Sequence, residues 1–235
     1  MSVSAKEIID EVLFKLNQNP RDPLALSRVK VMGELNNCLV DLAENTRMFP
    51  TKAVITLEVG TSTYALPVDF VEIINVTNSD WKELKPTTLA SLQNYSWYWQ
   101  NESGTPEWYI LDFDTPNTIR FFQTPSADWD DKVLDLVYYQ YPAKILYESV
   151  EIPTPLLRNK KMLVDYCLAQ LYQFQMEVMN APLGQQYWGA YLQERNKWAK
   201  KSINPPRLLI MGSLGKVKST SRGPNLPDNY PSLWD

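Results

Sequence analysis

The sequence predicts an α+β protein with helices at both ends, strands between them, and an extended C-terminal arm. Three observations predict this. Apolar residues recur at helical spacing over 4–45 and again over 156–202. They alternate with polar residues between 51 and 141, and no period survives after about residue 203. The 235 residues suffice for one large domain, or a domain with an insert, around a sizeable core. The shifts in pattern divide the chain into N-terminal helices (1–50), a β-rich insert (51–153), C-terminal helices (154–203) and the arm (204–235). That order allows an antiparallel helical bundle carrying an inserted antiparallel sheet.

Ser4 with Glu7 three residues on has capping-box spacing, and Ile8, Ile9, Val12, Leu13 and Leu16 share one face of a helix over 4–18. Asn19-Pro20 ends it, because the residue before a proline avoids the helical region. Val31, Met32, Leu35, Cys38, Leu39 and Leu42 place a second helix over about 24–45. From Thr51 the period falls to two: Ala53, Ile55, Leu57 and Val59 face one way and Val54, Thr56 and Glu58 the other. Gly60-Thr61-Ser62 is a turn, after which Tyr64–Pro67 and Phe70–Val76 read as a strand pair. Thr87 or Thr88 can cap a short helix over 89–99. Strands over 107–113 and 118–123 meet across the turn residues Asp114-Thr115-Pro116-Asn117. A loop over 125–131 precedes a clearly alternating strand over 133–141. Sequential strands tend to be neighbours, so a meander is expected. Leu163, Cys167, Leu171, Phe174 and Val178 mark a helix over 156–179, which Asn180-Ala181-Pro182 breaks. Trp188, Tyr191, Leu192, Arg195 and Trp198 line one side of a last helix over 184–202, with Arg195, Lys197, Lys200 and Lys201 forming a basic face.

The final segment holds Pro205, Pro206, Pro224, Pro227 and Pro231 but keeps the apolar groups Leu208–Met211 and Tyr230–Trp234. Such an arm is costly to leave in water and is expected to order against a partner.

Charge is unevenly placed. Residues 51–153 carry 6 basic and 15 acidic groups, net -9, whereas 154–222 carry 11 and 3, net +8. The overall net charge of -4 hides this asymmetry, which suits oriented stacking on a partner but leaves no global nucleic-acid footprint. There is no apolar run of 18 residues and no signal peptide, so the expectation is a soluble protein without a membrane partner. Two distant cysteines fit a reducing compartment and core thiols.

Catalytic chemistry is hard to build here. With no histidine there is no imidazole base, no Ser-His-Asp triad and no imidazole metal ligand. Leu214-Gly215-Lys216 lacks the rest of a phosphate loop. Asp128, Asp130 and Asp131 around Trp129 could attract a divalent cation, but they lack the glycine and terminal glutamate of a calcium loop. Asp112 and Asp114, two apart on an expected strand, would share a face, without the second pair of a glycosidase. The expectation is a protein that is not an enzyme and takes no cofactor. The aromatic run from Tyr95 to Trp99 could stack on sugars or bases, yet residues 90–110 hold Glu102 and Glu107 and no basic residue. Hydrophobic contact within the fold or across an interface accounts for it better.

One ordered set of motifs runs from about residue 50 to 180. It comprises Tyr64-x-Leu66-Pro67-x-Asp69-Phe70, Leu84-x-Pro86, Gly104-Thr105-Pro106-x-x-Tyr109, Ile119–Pro125, Leu136-x-Tyr138-Tyr139-x-x-Pro142 and Ile152-Pro153. It resembles the head-to-tail adaptor, or connector, proteins of tailed bacteriophages, especially the short-tailed type. The resemblance implies a virion protein, made in the host cytoplasm and seated at the head–tail junction. It implies a ring of twelve copies beneath the portal protein, extending a channel through which double-stranded DNA passes without sequence-specific contact. It implies docking of tail tube, nozzle or tail-fibre proteins, and an arm lying along the portal or a neighbouring subunit.

On this reading Leu208, Leu209, Ile210, Met211, Tyr230, Leu233 and Trp234 are the arm's anchors. Arg195, Lys197, Lys200 and Lys201 are electrostatic contacts to the portal. Trp97, Tyr98, Trp99 and Trp108 form a tail-facing or intersubunit aromatic patch. The alternative function is an aromatic-rich ligand- or sugar-binding module of a virion tail, using the same four aromatics.

Overall fold

The first helix, α1 (Ala5–Lys15), begins at a complete capping box: the Ser4 hydroxyl accepts from the Glu7 N–H at 3.4 Å and the Glu7 carboxylate accepts from the Ser4 N–H at 3.4 Å. This computed structural model describes residues 3–17, 27–80, 82–174 and 179–203. Ile8, Ile9, Val12 and Leu13 are completely buried, as their spacing predicts. The second helix, α2 (Arg28–Thr46), buries Val31, Leu35, Cys38, Leu39 and Leu42 and ends at Arg47 in the left-handed region, φ 54°.

The next long helix, α4 (Lys160–Phe174), follows a 3-10 turn over Thr154–Asn159. The last, α5 (Ala181–Ile203), is capped by Asn180, whose side-chain oxygen accepts from the Leu183 N–H at 3.3 Å. Residues 162–169 of α4 are buried all round because α1, α2 and α5 all pack on it. Together these four helices share one hydrophobic core. At Gly184 helices α4 and α5 approach so closely that an added Cβ would lie 2.7 Å from the Gln173 side chain. Phe174 departs from its expected place on the buried stripe: it is 68% exposed, one turn past Leu171, the last fully buried residue of α4. Val178 lies outside the described residues.

Between the helix pairs the described residues form nine strands: β1 (Pro50–Thr56), β2 (Thr63–Ala65), β3 (Phe70–Asn78), β4 (Lys85–Pro86), β5 (Ser103–Gly104), β6 (Trp108–Leu111), β7 (Thr118–Phe122), β8 (Thr124–Pro125) and β9 (Val133–Gln140), with a short helix α3 (Leu89–Tyr95) after β4. They form three sheets, ordered β1-β9-β3, β2-β7-β6-β4 and β5-β8. The expected meander is therefore corrected. Of the pairings only β6 with β7 joins strands consecutive in the chain, and β4–β6 and β5–β8 are parallel. Tyr64–Pro67 and Phe70–Val76, expected to pair, fall in different sheets, β2 on β7 and β3 on β9. The physical reason lies in β9. Its Leu134, Leu136 and Tyr138 are buried on one face and both of its edges are hydrogen-bonded, so the last strand inserts between β1 and β3. Ile55, Leu57, Val76, Ile119, Phe121, Leu134 and Leu136 form the centre of this second core.

The segment after β9 ties the strands to the helices. The Val150 and Glu148 carbonyls accept from the Ala5 and Lys6 N–H groups, each at 2.9 Å, which satisfies free donors at the start of α1. The Asn36 amide donates to the Ile145 carbonyl at 3.0 Å and accepts from its N–H at 2.8 Å. Arg28 bridges Asp10 (2.7 Å) and Glu148 (2.6 Å), joining α2, α1 and this segment.

Candidate functional site

The short helix α3 determines which aromatics reach water. Thr88 caps it, its hydroxyl accepting from the Ser91 N–H at 3.3 Å, and the chain leaves the helix at Ser96 in extended conformation. A 3-10 turn over Trp99–Asn101 follows. That reversal turns Trp99 inward while leaving Trp97 84% and Tyr98 72% exposed. Trp99 meets the Phe113 ring edge-on at 5.3 Å, and the Arg120 guanidinium lies 5.1 Å over its ring. Arg120 is itself held by Asp114 at 2.8 Å. Trp108 stacks on Phe122 at 5.4 Å, and Tyr95 caps both rings edge-on at 5.3 and 5.6 Å.

Of the four aromatics grouped by sequence, then, Trp97 and Tyr98 face solvent, Trp99 is core, and Trp108 is half-buried beneath Tyr95. Tyr95, 61% exposed and omitted from that group, adds to the same surface. The result is two solvent-facing rings and a half-packed third on a base fixed by Trp99, Phe113, Trp108 and Phe122. Large apolar side chains left exposed on a rigid base are what a docking surface requires.

The four basic residues of α5 do not share one role. The Arg195 guanidinium contacts both oxygens of Asp41 on α2 at 3.2 Å, and the fully buried Tyr191 donates its hydroxyl to the same carboxylate. Burial, with Cys38 and the Asp41 carboxylate beside it, pushes the Tyr191 hydroxyl far above its ordinary pKa. Lys197 pairs with Glu194 at 2.5 Å on the surface, and Lys200 is exposed. The Lys201 side chain lies outside the described residues, as do Leu208, Leu209, Ile210, Met211, Tyr230, Leu233 and Trp234.

The acidic residues expected to share faces are separated by local structure. Asp112 and Asp114 lie beyond the end of β6, in its turn to β7, because the strand stops at Leu111. Asp112 accepts from the Asn117 N–H at 2.7 Å, and Asp114 pairs with Arg120. Asp128, Asp130 and Asp131 flank a buried Trp129, whose indole N–H donates to Thr105 at 3.0 Å; Asp130 accepts from the Val59 N–H at 3.2 Å. Among the described residues no three or more acidic or cysteine side chains converge as a metal-ligand set. Both cysteines are free, and burial raises both thiols above their ordinary range. No helix among the described residues is long and apolar enough to cross a membrane.

Compared with known families, residues 3–204 match the one described as SU10 adaptor protein. No curated protein matches the chain. The family match takes in every helix and strand described above.

Proposed function

The chain belongs to the SU10 adaptor protein family, a family of phage adaptors, and from that premise we propose that it joins head to tail in a virion. The observation that carries this reading is the span of the match, residues 3–204, which takes in the helical core and the strand region alike. In this function the N- and C-terminal helices form one bundle, and twelve copies close a ring beneath the portal protein. The ring extends the DNA channel used in ejection and docks tail tube, nozzle or tail-fibre proteins. Assembly takes place in the host cytoplasm.

The parts of the chain divide the work. The acidic 51–153 segment and the basic 154–222 segment give each copy a charge asymmetry that orients stacking on unlike neighbours. Residues 204–235 act as a clasp on the portal or a neighbouring subunit, with Leu208–Met211 and Tyr230–Trp234 as anchors. Lys197, Lys200 and Lys201 offer charge to the portal, whereas Arg195 serves the α2–α5 contact. The exposed Trp97 and Tyr98 receive a tail component or a neighbouring subunit. The fold's role is structural, and many modest contacts repeated around a ring hold it in place.

Native mass spectrometry of the full-length chain mixed with purified portal rings tests the proposal. A complex of twelve chains per portal ring is expected, and it should be lost on deleting 204–235. Absence of any complex with portal, with glycan binding that Trp97→Ala abolishes, would replace the proposal with the sugar-binding reading.

A further inference from the structure

Along the buried run of α4, 162–169, one residue is acidic. Asp165 is 2% exposed, and its buried Oδ2 has no hydrogen-bond partner among the described residues. Buried carboxylates are normally paired, because the charge loses its hydration without replacement. Asp165 helps to line a pocket of about 180 Å³ between α4 and α5, together with Lys161, Gln186 and Tyr187 and the apolar Leu183 and Ala190. Among the described residues the charged groups that act on it are Glu11, Lys15, Lys161 and Glu194. Three of these are engaged elsewhere: Lys15 with Glu11 at 3.2 Å, Glu11 also with Lys160 at 2.8 Å, and Glu194 with Lys197 at 2.5 Å. Lys161 lies one turn away on the same helix and is not within ion-pairing distance of Asp165.

We propose that this pocket is a binding site for one hydrogen-bond-donating cation, a guanidinium or alkylammonium group, received by the Asp165 carboxylate. A single carboxylate with a neutral amide and a phenol is too poor in oxygen charge for a divalent ion. It suits a compact organic cation, whose N–H groups can satisfy the carboxylate while its carbon rests on Leu183 and Ala190. The volume admits one side-chain end or one small amine. Burial raises the Asp165 carboxyl above its ordinary pKa. A cation held against the carboxylate favours its charged form and so offsets that penalty. The cation can come from the medium or from a second copy of this chain; only the second source rests on the ring proposed above.

The test is a titration of full-length protein with methylguanidinium chloride at fixed ionic strength and pH 7, read as thermal unfolding. A saturable rise in Tm is expected in the wild type and none in Asp165→Asn. Lys161→Gln, which removes a like charge from the pocket lining, should reach half-saturation at a several-fold lower concentration. Equal responses in wild type and Asp165→Asn, no response in the wild type, or a response only in Lys161→Gln would each overturn the proposal. Portal-templated assembly of Asp165→Asn then separates the sources. A tenfold or greater loss, mimicked in the wild type by methylguanidinium competition, identifies a second copy as the source. Assembly at wild-type level with the Tm effect intact identifies a free cation.

Discussion

Trp97 and Trp99 stand two residues apart, yet their truncation should have opposite consequences. Trp99 is 4% exposed and packs on Phe113 at 5.3 Å with Arg120 over its face at 5.1 Å. Replacing it by alanine removes that burial and leaves a cavity beside Leu92 and Phe122, at a cost of about 3–5 kcal/mol. Trp97 is 84% exposed, so Trp97→Ala should change stability by no more than about 0.5 kcal/mol. With a urea m-value of about 2–3 kcal/mol/M, the Trp99 variant should unfold at a midpoint lower by about 1–2.5 M. Urea titration of both full-length variants, followed by far-ultraviolet circular dichroism, measures this. The docking proposal adds a second readout: Trp97→Ala with Tyr98→Ala keeps the wild-type midpoint and loses tail-component binding. The reasoning is refuted if Trp97→Ala lowers the midpoint as far as Trp99→Ala does.

Three further outcomes are expected. Asp41→Ala strands the buried Tyr191 hydroxyl and frees the partly exposed Arg195, so it should cost about 2–4 kcal/mol, against about 1 kcal/mol for Tyr191→Phe; the double variant should fall short of the sum in a denaturation cycle. Glu148 is held below its ordinary value of 4.5 by the Arg28 guanidinium. A lowered folded-state pKa gives stability that is present above 4.5 and lost as pH falls through the folded value, so Arg28→Gln should flatten the acid limb of a stability–pH profile. Asp165 has the opposite sign: with its pKa raised by burial, the folded state loses stability as pH rises through that value. Asp165→Asn should therefore stabilise the isolated protein by about 1 kcal/mol at pH 7, a gain that vanishes near pH 3.

What the sequence made legible was local. The Ser4–Glu7 box, the Thr88 cap, the Asn180-Ala181-Pro182 break and the alternation of 133–140 each depend on residues within a few positions, and each predicted element appears close to its expected place. Strand partners were not legible, because β9 pairs with β1 and β3 from about 55–90 residues away, and alternation fixes a face but names no neighbour. The aromatic surface was half legible. Composition marked the run from Tyr95 to Trp99, but the sorting of Trp97 from Trp99 depends on a single 3-10 turn that no period announces. The same limit hid Arg195: a basic residue at helical spacing among Trp188, Tyr191 and Trp198 reads as surface charge until Asp41, 154 residues earlier, is seen to meet it. Asp165 carried no signal, since one acid within an apolar helix looks alike whether it faces solvent or a pocket against a neighbouring helix.

Cryo-electron microscopy of the head–tail junction in intact virions tests the central claim most directly. The account predicts a twelvefold ring of this chain under the portal, with the helical core and the three small sheets fitting the density of each copy. A junction that lacks this chain, or a copy found only in fibres or free in the lysate, would contradict it.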